Sequence, residues 1–308
     1  MIEHYECIII GGGIAGLQAA VQLGRYKHNI LVIDSNDGRS NLCKGYHNIL
    51  GWPDGVSGET LRSLGKIHAQ RYRVQFQTDK VVQVRQEQEL YIVTTEAGTT
   101  YKANIILLAT GVMDRLPNIL HIKDGLGLTV YVCPDCDGYE VQHKRVLVLG
   151  AGKTGAEMSL ALTYWTKDIV YINHDGTPIE DELQKKLHAA EISYINEKIE
   201  EVLTEDGSFF QGVRLQSGKI VSGERAFIAF GGNHVRNELA EQLGVSLQPN
   251  KHIITDPRTK ETNIRNVWVA GDIAIHSEQV TIAMGEGAQA AIWIHKRLLE
   301  EQENRRSN

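Results

Sequence analysis

The stretch VYVCPDCDGYE sets Cys133 and Cys136 two residues apart and places Asp137 directly after them. Two thiols at this spacing, at the start of a helix, lie within bonding reach of each other, and oriented N–H groups there lower the pKa of one of them. That arrangement suits two-electron thiol–disulfide exchange. A C-x-x-C is also half of a zinc site, but zinc takes about four N or S ligands. The second half is missing, because Cys7 sits in the first strand-like run, Cys43 is isolated and no H-x-x-x-H follows. No metal is expected, and Cys7 and Cys43 read as small buried apolar residues.

Glycines are the other residues whose spacing implies chemistry. Gly11, Gly13 and Gly16 form G-x-G-x-x-G, with Ala15 inside the motif, between an apolar run ending at Ile10 and a segment of helical spacing, LQAAVQLGRY. In that strand–turn–helix setting the glycines let the backbone approach a pyrophosphate, whose charge faces the helix N-terminus. Asp34 ends the next apolar run, about 20 residues further on, where a carboxylate accepts from ribose hydroxyls. The layout recurs. The run 145–149 leads into Gly150, Gly152 and Gly155, then into AEMSLALTYW, then into a second run ending at Asn173.

These two copies must be carried by sheets. Three strand-like runs follow each copy: VQFQTDKVVQVRQ, ELYIVTTEAG and TTYKANIILLATG after the first, ISYINEKIEEVL, SFFQGVRLQSG and KIVSGERAFIAFGG after the second. Each set predicts a β-meander that returns to a parallel sheet and ends in a glycine turn, at Thr110-Gly111 or Gly231-Gly232. A last run, NVWVA, reaches Gly271-Asp272 and a long helical segment, and it needs a sheet to join. The pattern predicts an α/β fold of two Rossmann-like, three-layer ββα dinucleotide-binding domains, the second inserted into the first. Residues 1–114 and 245–308 form one and residues 115–244 the other, with connections near 114–120 and 233–243.

At 308 residues and 42% hydrophobic content, the chain is long enough for two ordinary globular domains. Its formal charge of −6, without a dense Lys/Arg cluster, argues against a phosphate-backbone partner, so no nucleic acid is expected. No apolar run reaches the roughly 20 residues of a membrane span, and MIEHYECIII enters a strand without a basic leader. The expected location is cytoplasmic, with no membrane partner.

The first glycine loop with Asp34, Asn48 in GYHNILGWPDGVSGETL, the Ala109-Thr110-Gly111 turn, CPDCDG, the second loop and the ending AGDIAIHSEQVTIAMGEGAQAA together resemble the low-molecular-weight thioredoxin reductases. The match runs in order over nearly the whole chain. It implies a homodimeric FAD protein whose inserted domain carries the redox cysteines and, in typical members, binds NADPH. By the family's pattern, Gly11, Gly13, Gly16 and Asp34 hold the FAD pyrophosphate and ribose, and the Val81 backbone meets the adenine. Asn48, Asp272, Gln279 and Val280 hold the flavin end, with Ala15, Thr110 and Gly111 completing the FAD site. Cys136 faces the flavin, Cys133 attacks the substrate disulfide, and Asp137 shuttles a proton. Rotation of the inserted domain lets the cysteine pair and a nicotinamide on Gly150, Gly152 and Gly155 alternate at one flavin face.

Two departures bear on the electron donor. Typical members follow the second strand of the inserted domain with an H-R-R cluster for the 2′-phosphate of NADPH, whereas this run is NHDGTP, and Asp175 repels a phosphate. NADH is favoured over NADPH, because Asn or Asp at that strand end accepts from free ribose hydroxyls. The usual Arg before the C-terminal Gln is also replaced, by Glu278. Three readings follow: a disulfide reductase fed by a pyridine nucleotide and acting on a thioredoxin-like protein or small-molecule disulfide; a reductase fed by another donor such as ferredoxin; and a dithiol oxidase that passes electrons to oxygen. Dithiol oxidases that close disulfides in secondary metabolites resemble this chain in CPDCDGYE and a nearby Trp165, though fungal members commonly carry His at position 137. A redox-sensing flavoprotein is a weaker alternative. His276 is flagged because it falls in the loop after Asp272.

Overall fold

Alternation within the first apolar run builds a sheet covered on both faces. Strand β1 (Glu3–Ile10) sends Ile8 and Ile10 into one core and Cys7 and Ile9 into another. Burying each large side chain in this way contributes about 1.5–3 kcal/mol. Near-continuous β-branched residues are what a parallel strand buried on both faces requires.

The structure is a computed structural model describing residues 2–307. After β1 come α1 (Ile14–Arg25), β2 (Ile30–Asp34), α2 (Gly58–Gln70), β3 (Gln75–Thr78), β4 (Val81–Glu87), β5 (Leu90–Thr95), β6 (Thr100–Leu108) and a short β7 (Val112–Met113). The middle of the chain forms β8 (Val130–Tyr131), α3 (Pro134–Asp137), β9 (Val146–Gly150), α4 (Gly152–Leu162), β10 (Ile169–Asn173), α5 (Asp181–Ala189) and β11 (Ser193–Ile195). It continues through β12 (Ile199–Glu205), β13 (Phe209–Leu215), β14 (Ile220–Ser222), β15 (Arg225–Ala229) and β16 (His234–Val235). Then follow α6 (Glu238–Gln242), β17 (Val267–Val269) and α7 (Val280–Ser307).

Two units emerge. The first runs through Asn41, resumes over Glu59–Met113 and again from Val235, whereas the second comprises Leu42–Gly58 and Asp114–His234. Leu239 and Ala240 of α6 already join the first unit's core, which is why the chain is back in that unit before residue 245. Segment 42–58 goes with the second unit because Leu42 packs on its core and Lys44 N–H donates to Leu126 O (2.9 Å).

In the first unit the strand order is β3-β2-β1-β6, all parallel. The far edge of β6 is shared: antiparallel β5 pairs with its first half, and parallel β17 pairs with Ile106, Leu107 and Leu108. The last run thus finds its sheet where the meander peels away. The second unit repeats the core as β11-β10-β9-β15-β8, but its meander β12-β13-β14 forms a separate three-stranded sheet. In both units the first predicted meander run is cut in two, into β3 and β4 or β11 and β12, because a turn redirects the chain from the parallel sheet into the meander.

Candidate active site

Helix α3 is a single turn with Cys133 as its N-cap and Pro134 at its first position, where a missing N–H costs nothing. Cys136 lies in the same turn, and the two Sγ atoms are 2.7 Å apart as free thiols. Their environments make them unequal. The hydrogen bond between the two Sγ atoms, outweighing burial, lowers the Cys133 pKa, with the Cys136 backbone N–H helping. The same hydrogen bond, then burial, pushes the Cys136 thiol far up. Cys133 is therefore the stronger candidate nucleophile.

Asp137 follows in the same turn, its carboxyl pushed up to about 7 by burial and then by the Glu140 carboxylate. A group titrating there can give or take a proton near neutral pH. The next residue is Gly138, and a Cβ added to it would lie 2.5 Å from the Trp165 ring. Trp165 thus backs the turn that carries the acid. The other two cysteines differ from this pair: Cys7 is fully buried, and burial pushes the partly exposed Cys43 to about 11. Among the described residues, no group of three or more His, Cys, Asp or Glu side chains is placed to hold a metal ion.

In the first unit, three glycine turns close neighbouring parallel strands at their C-terminal ends. Gly11 after β1, Gly111 after β6 and Gly271 after β17 have φ of +108°, +68° and +86°, which L side chains rarely adopt. A Cβ on Gly11 would sit 2.3 Å from Ala109 O and one on Gly16 would sit 2.0 Å from Gly11 O, yet Gly13 has nothing within 4 Å. Space therefore opens at the N-terminus of α1, as a dinucleotide pyrophosphate requires. Asp34 accepts from Gly12 N–H (2.9 Å) and pairs with Arg62 (2.6 Å), which fixes the carboxylate at the end of β2.

Ala15 is buried at the turn's back, where a Cβ on Gly271 would meet it at 2.9 Å. Thr110 donates to Arg236 O (2.6 Å), Val81 is buried at the start of β4, and Asp272, Gln279 and Val280 are half-buried at the entrance to α7. Arg39 Nη1 bridges Asp272 (3.2 Å) and Glu278 (2.5 Å). Asn48 alone of the flavin candidates falls in the second unit, exposed in segment 42–58. The first unit's cradle fits FAD, which supplies a two-electron redox centre when bound.

The second glycine loop is tied to its own surroundings. Gly152 N–H donates to Asn173 Oδ1 (3.0 Å), the Tyr171 hydroxyl donates to Gly152 O (2.8 Å), and Asn173 Nδ2 donates to Thr177 O (2.8 Å). A Cβ on Gly155 would lie 2.3 Å from the Tyr171 ring, and one on Gly152 would lie 2.9 Å from Thr177. These glycines have packing reasons of their own. Asp175 pairs with Arg115 (2.9 Å), which also donates to Phe230 O (3.3 Å).

The chain matches the pyridine nucleotide-disulphide oxidoreductase family over residues 5–287. It belongs to that family. It is 29% identical over 304 residues to a thioredoxin reductase of Rickettsia bellii, covering 94% of this chain and 97% of that one. Its fold is similar to the crystal structure of HlmI, with a TM-score of 0.88 at 26% identity over 99% of this chain and 95% of the other. A putative thioredoxin reductase of Bacillus anthracis gives 0.84 at 26% identity over 97% and 99%. As a thioredoxin reductase-like member of the family, the protein is an enzyme, a disulfide oxidoreductase for which FAD is the expected cofactor.

Several partners of the motif residues lay outside the motifs. Arg39, Arg62, Arg115, Lys260 and Glu286 meet their partners only through the fold, so no local pattern announces them. Asn173 was legible, because it stands after the second copy where Asp34 stands after the first.

Proposed function

We propose that the protein moves two electrons between FAD in its first unit, the Cys133/Cys136 pair and an external disulfide or dithiol. The observation that carries this reading is the pair itself, two free thiols 2.7 Å apart in one turn followed directly by Asp137, whose carboxyl is pushed up to about 7. In the reducing direction the Cys133 thiolate attacks one substrate sulfur, forms a mixed disulfide and releases the other sulfur as a thiolate, which takes the proton of Asp137. Cys136 then gives its proton to the Asp137 carboxylate, attacks Cys133 Sγ, closes the Cys133–Cys136 disulfide and expels the second thiolate. The pair is oxidised by two electrons and the substrate reduced by two. A thioredoxin-like protein as substrate is supported by the thioredoxin reductases among its relatives.

The second loop bears on the electron source. Asn173 and the Asp175–Arg115 pair favour a free ribose over a 2′-phosphate, and hence NADH over NADPH. The contacts that Tyr171 and Thr177 make with the loop favour a second reading, in which the glycines serve packing and electrons enter from a dithiol or another donor such as ferredoxin. Anaerobic stopped-flow mixing with NADH, NADPH and a dithiol separates the two. Rapid bleaching of the flavin by NADH supports the first reading, and bleaching by the dithiol or photoreduced ferredoxin alone supports the second. A protein that carries no flavin and exchanges no disulfide would overturn both.

A further inference from the structure

The loop from Gly271 to Gln279 enters α7 and carries three of the residues that the FAD reading assigns to the flavin end when Val280, at the helix start, is included. It also lacks the arginine expected before Gln279, having Glu278 instead. The fold brings two more carboxylates to this loop. Asp272 lies within it, and Glu286, in the second turn of α7, is only 6% exposed.

Glu286 is ionised, because it is surrounded by donors. Gly271 N–H (2.9 Å) and the His276 ring (2.7 Å) reach Oε2, and Lys260 Nζ reaches Oε1 (2.7 Å). A carboxylate at this depth must be paired to stay charged, so these partners are required. His276 is more informative. Its Nδ1 faces Ser277 O at 2.6 Å, and its Nε2 faces Glu286 and also Gly271 O at 3.0 Å. Carbonyl oxygens and an ionised carboxylate only accept, so both ring nitrogens must carry hydrogen. The ring is an imidazolium.

Charge at the loop can then be counted over its ion-paired groups. Asp272, Glu278 and Glu286 are opposed by Arg39, Lys260 and His276, with His252 Nε2 3.5 Å from Glu278. We propose that His276 is a positioning residue, the third cation that balances these carboxylates and holds the loop against Glu286, so that bound FAD can accept electrons without facing excess negative charge. The pKa of His276, for which hydrogen bonds to Glu286 and two carbonyls outweigh burial and raise it to about 9, agrees with this role.

The inference rests on FAD occupying the first unit, and the test keeps the two apart. The midpoint potential of the bound flavin is measured anaerobically against a reference dye in the holoenzyme, His276→Gln, His276→Lys and Glu286→Gln. His276→Gln leaves three carboxylates against two cations and should lower the reduced-to-oxidised ratio at fixed potential about tenfold, or ~30 mV for a two-electron couple. His276→Lys should restore most of that loss, and Glu286→Gln should shift the potential the opposite way. Wild-type potentials in all three flavin-loaded variants would overturn the role of His276, as would His276→Lys behaving like His276→Gln. If His276→Gln does not fold, the sign of the Glu286→Gln shift decides, and a negative shift overturns the proposal. A wild-type protein that retains no FAD would instead overturn the underlying reading.

Discussion

Cys133 and Cys136 are chemically alike and differ through position within one turn. Their hydrogen bond lowers the pKa of Cys133 and raises that of Cys136, so the two thiols do not ionise together. Cys133→Ser should abolish disulfide turnover, and Cys136→Ser should arrest it at the mixed disulfide between Cys133 and the substrate. Full turnover in both variants would discard the exchange mechanism. Asp137 adds a pH dependence: below about 7 it is protonated and can supply a leaving thiolate, and above that it is a carboxylate and can only accept. Asp137→Asn should slow exchange about 10²–10⁴-fold and remove the limb near pH 7 from the rate profile. A limb that survives the substitution would belong to another group.

The two glycine loops look alike as elements and are built for different neighbours. Gly16 stands against the backbone oxygen of Gly11, Gly155 against the ring of Tyr171. Alanine at either position overpacks and should destabilise by about 1–3 kcal/mol, readable in denaturant melts. Only Gly16→Ala should also cost FAD, so the Gly155→Ala protein should purify yellow and the Gly16→Ala protein pale. A fully yellow Gly16→Ala protein would place the cofactor away from the first loop. Both loops were legible because a strand, three glycines and a helix are contiguous in the chain. The tie between Gly155 and Tyr171 was not, since Tyr171 reads as one more apolar strand residue until β10 lies beside β9.

For the whole molecule, the buried ion cluster under α7 couples folding to pH from both sides. His276 has its pKa raised from 6.5 to about 9 in the folded chain. Its stabilisation is therefore complete below about 6.5 and is lost as pH rises through 9. Glu286 has its pKa lowered, despite burial, by His276 and Lys260, so its contribution is present above the ordinary carboxylate range and is lost in acid. Thermal unfolding of the wild type should weaken between pH 6.5 and 9 more steeply than that of His276→Gln. Parallel pH profiles would mean that His276 does not titrate with folding. No described helix is long and apolar enough to cross a membrane, α7 included.

The amino-acid sequence by itself determined what depends on neighbours along the chain: the two strand–glycine loop–helix copies, the thiol pair with its acid, and the insertion of one set of elements within another. Hydrophobic period, glycine spacing and a C-x-x-C are local patterns, and the physics behind them acts over a few residues. Tertiary structure decided how the two cysteines differ in environment, what holds each glycine loop and how the carboxylates before α7 are balanced. Burial and charge pairing act through space, and only folding brings Arg39 to Glu278, Arg115 to Asp175, and Lys260 and His276 to Glu286.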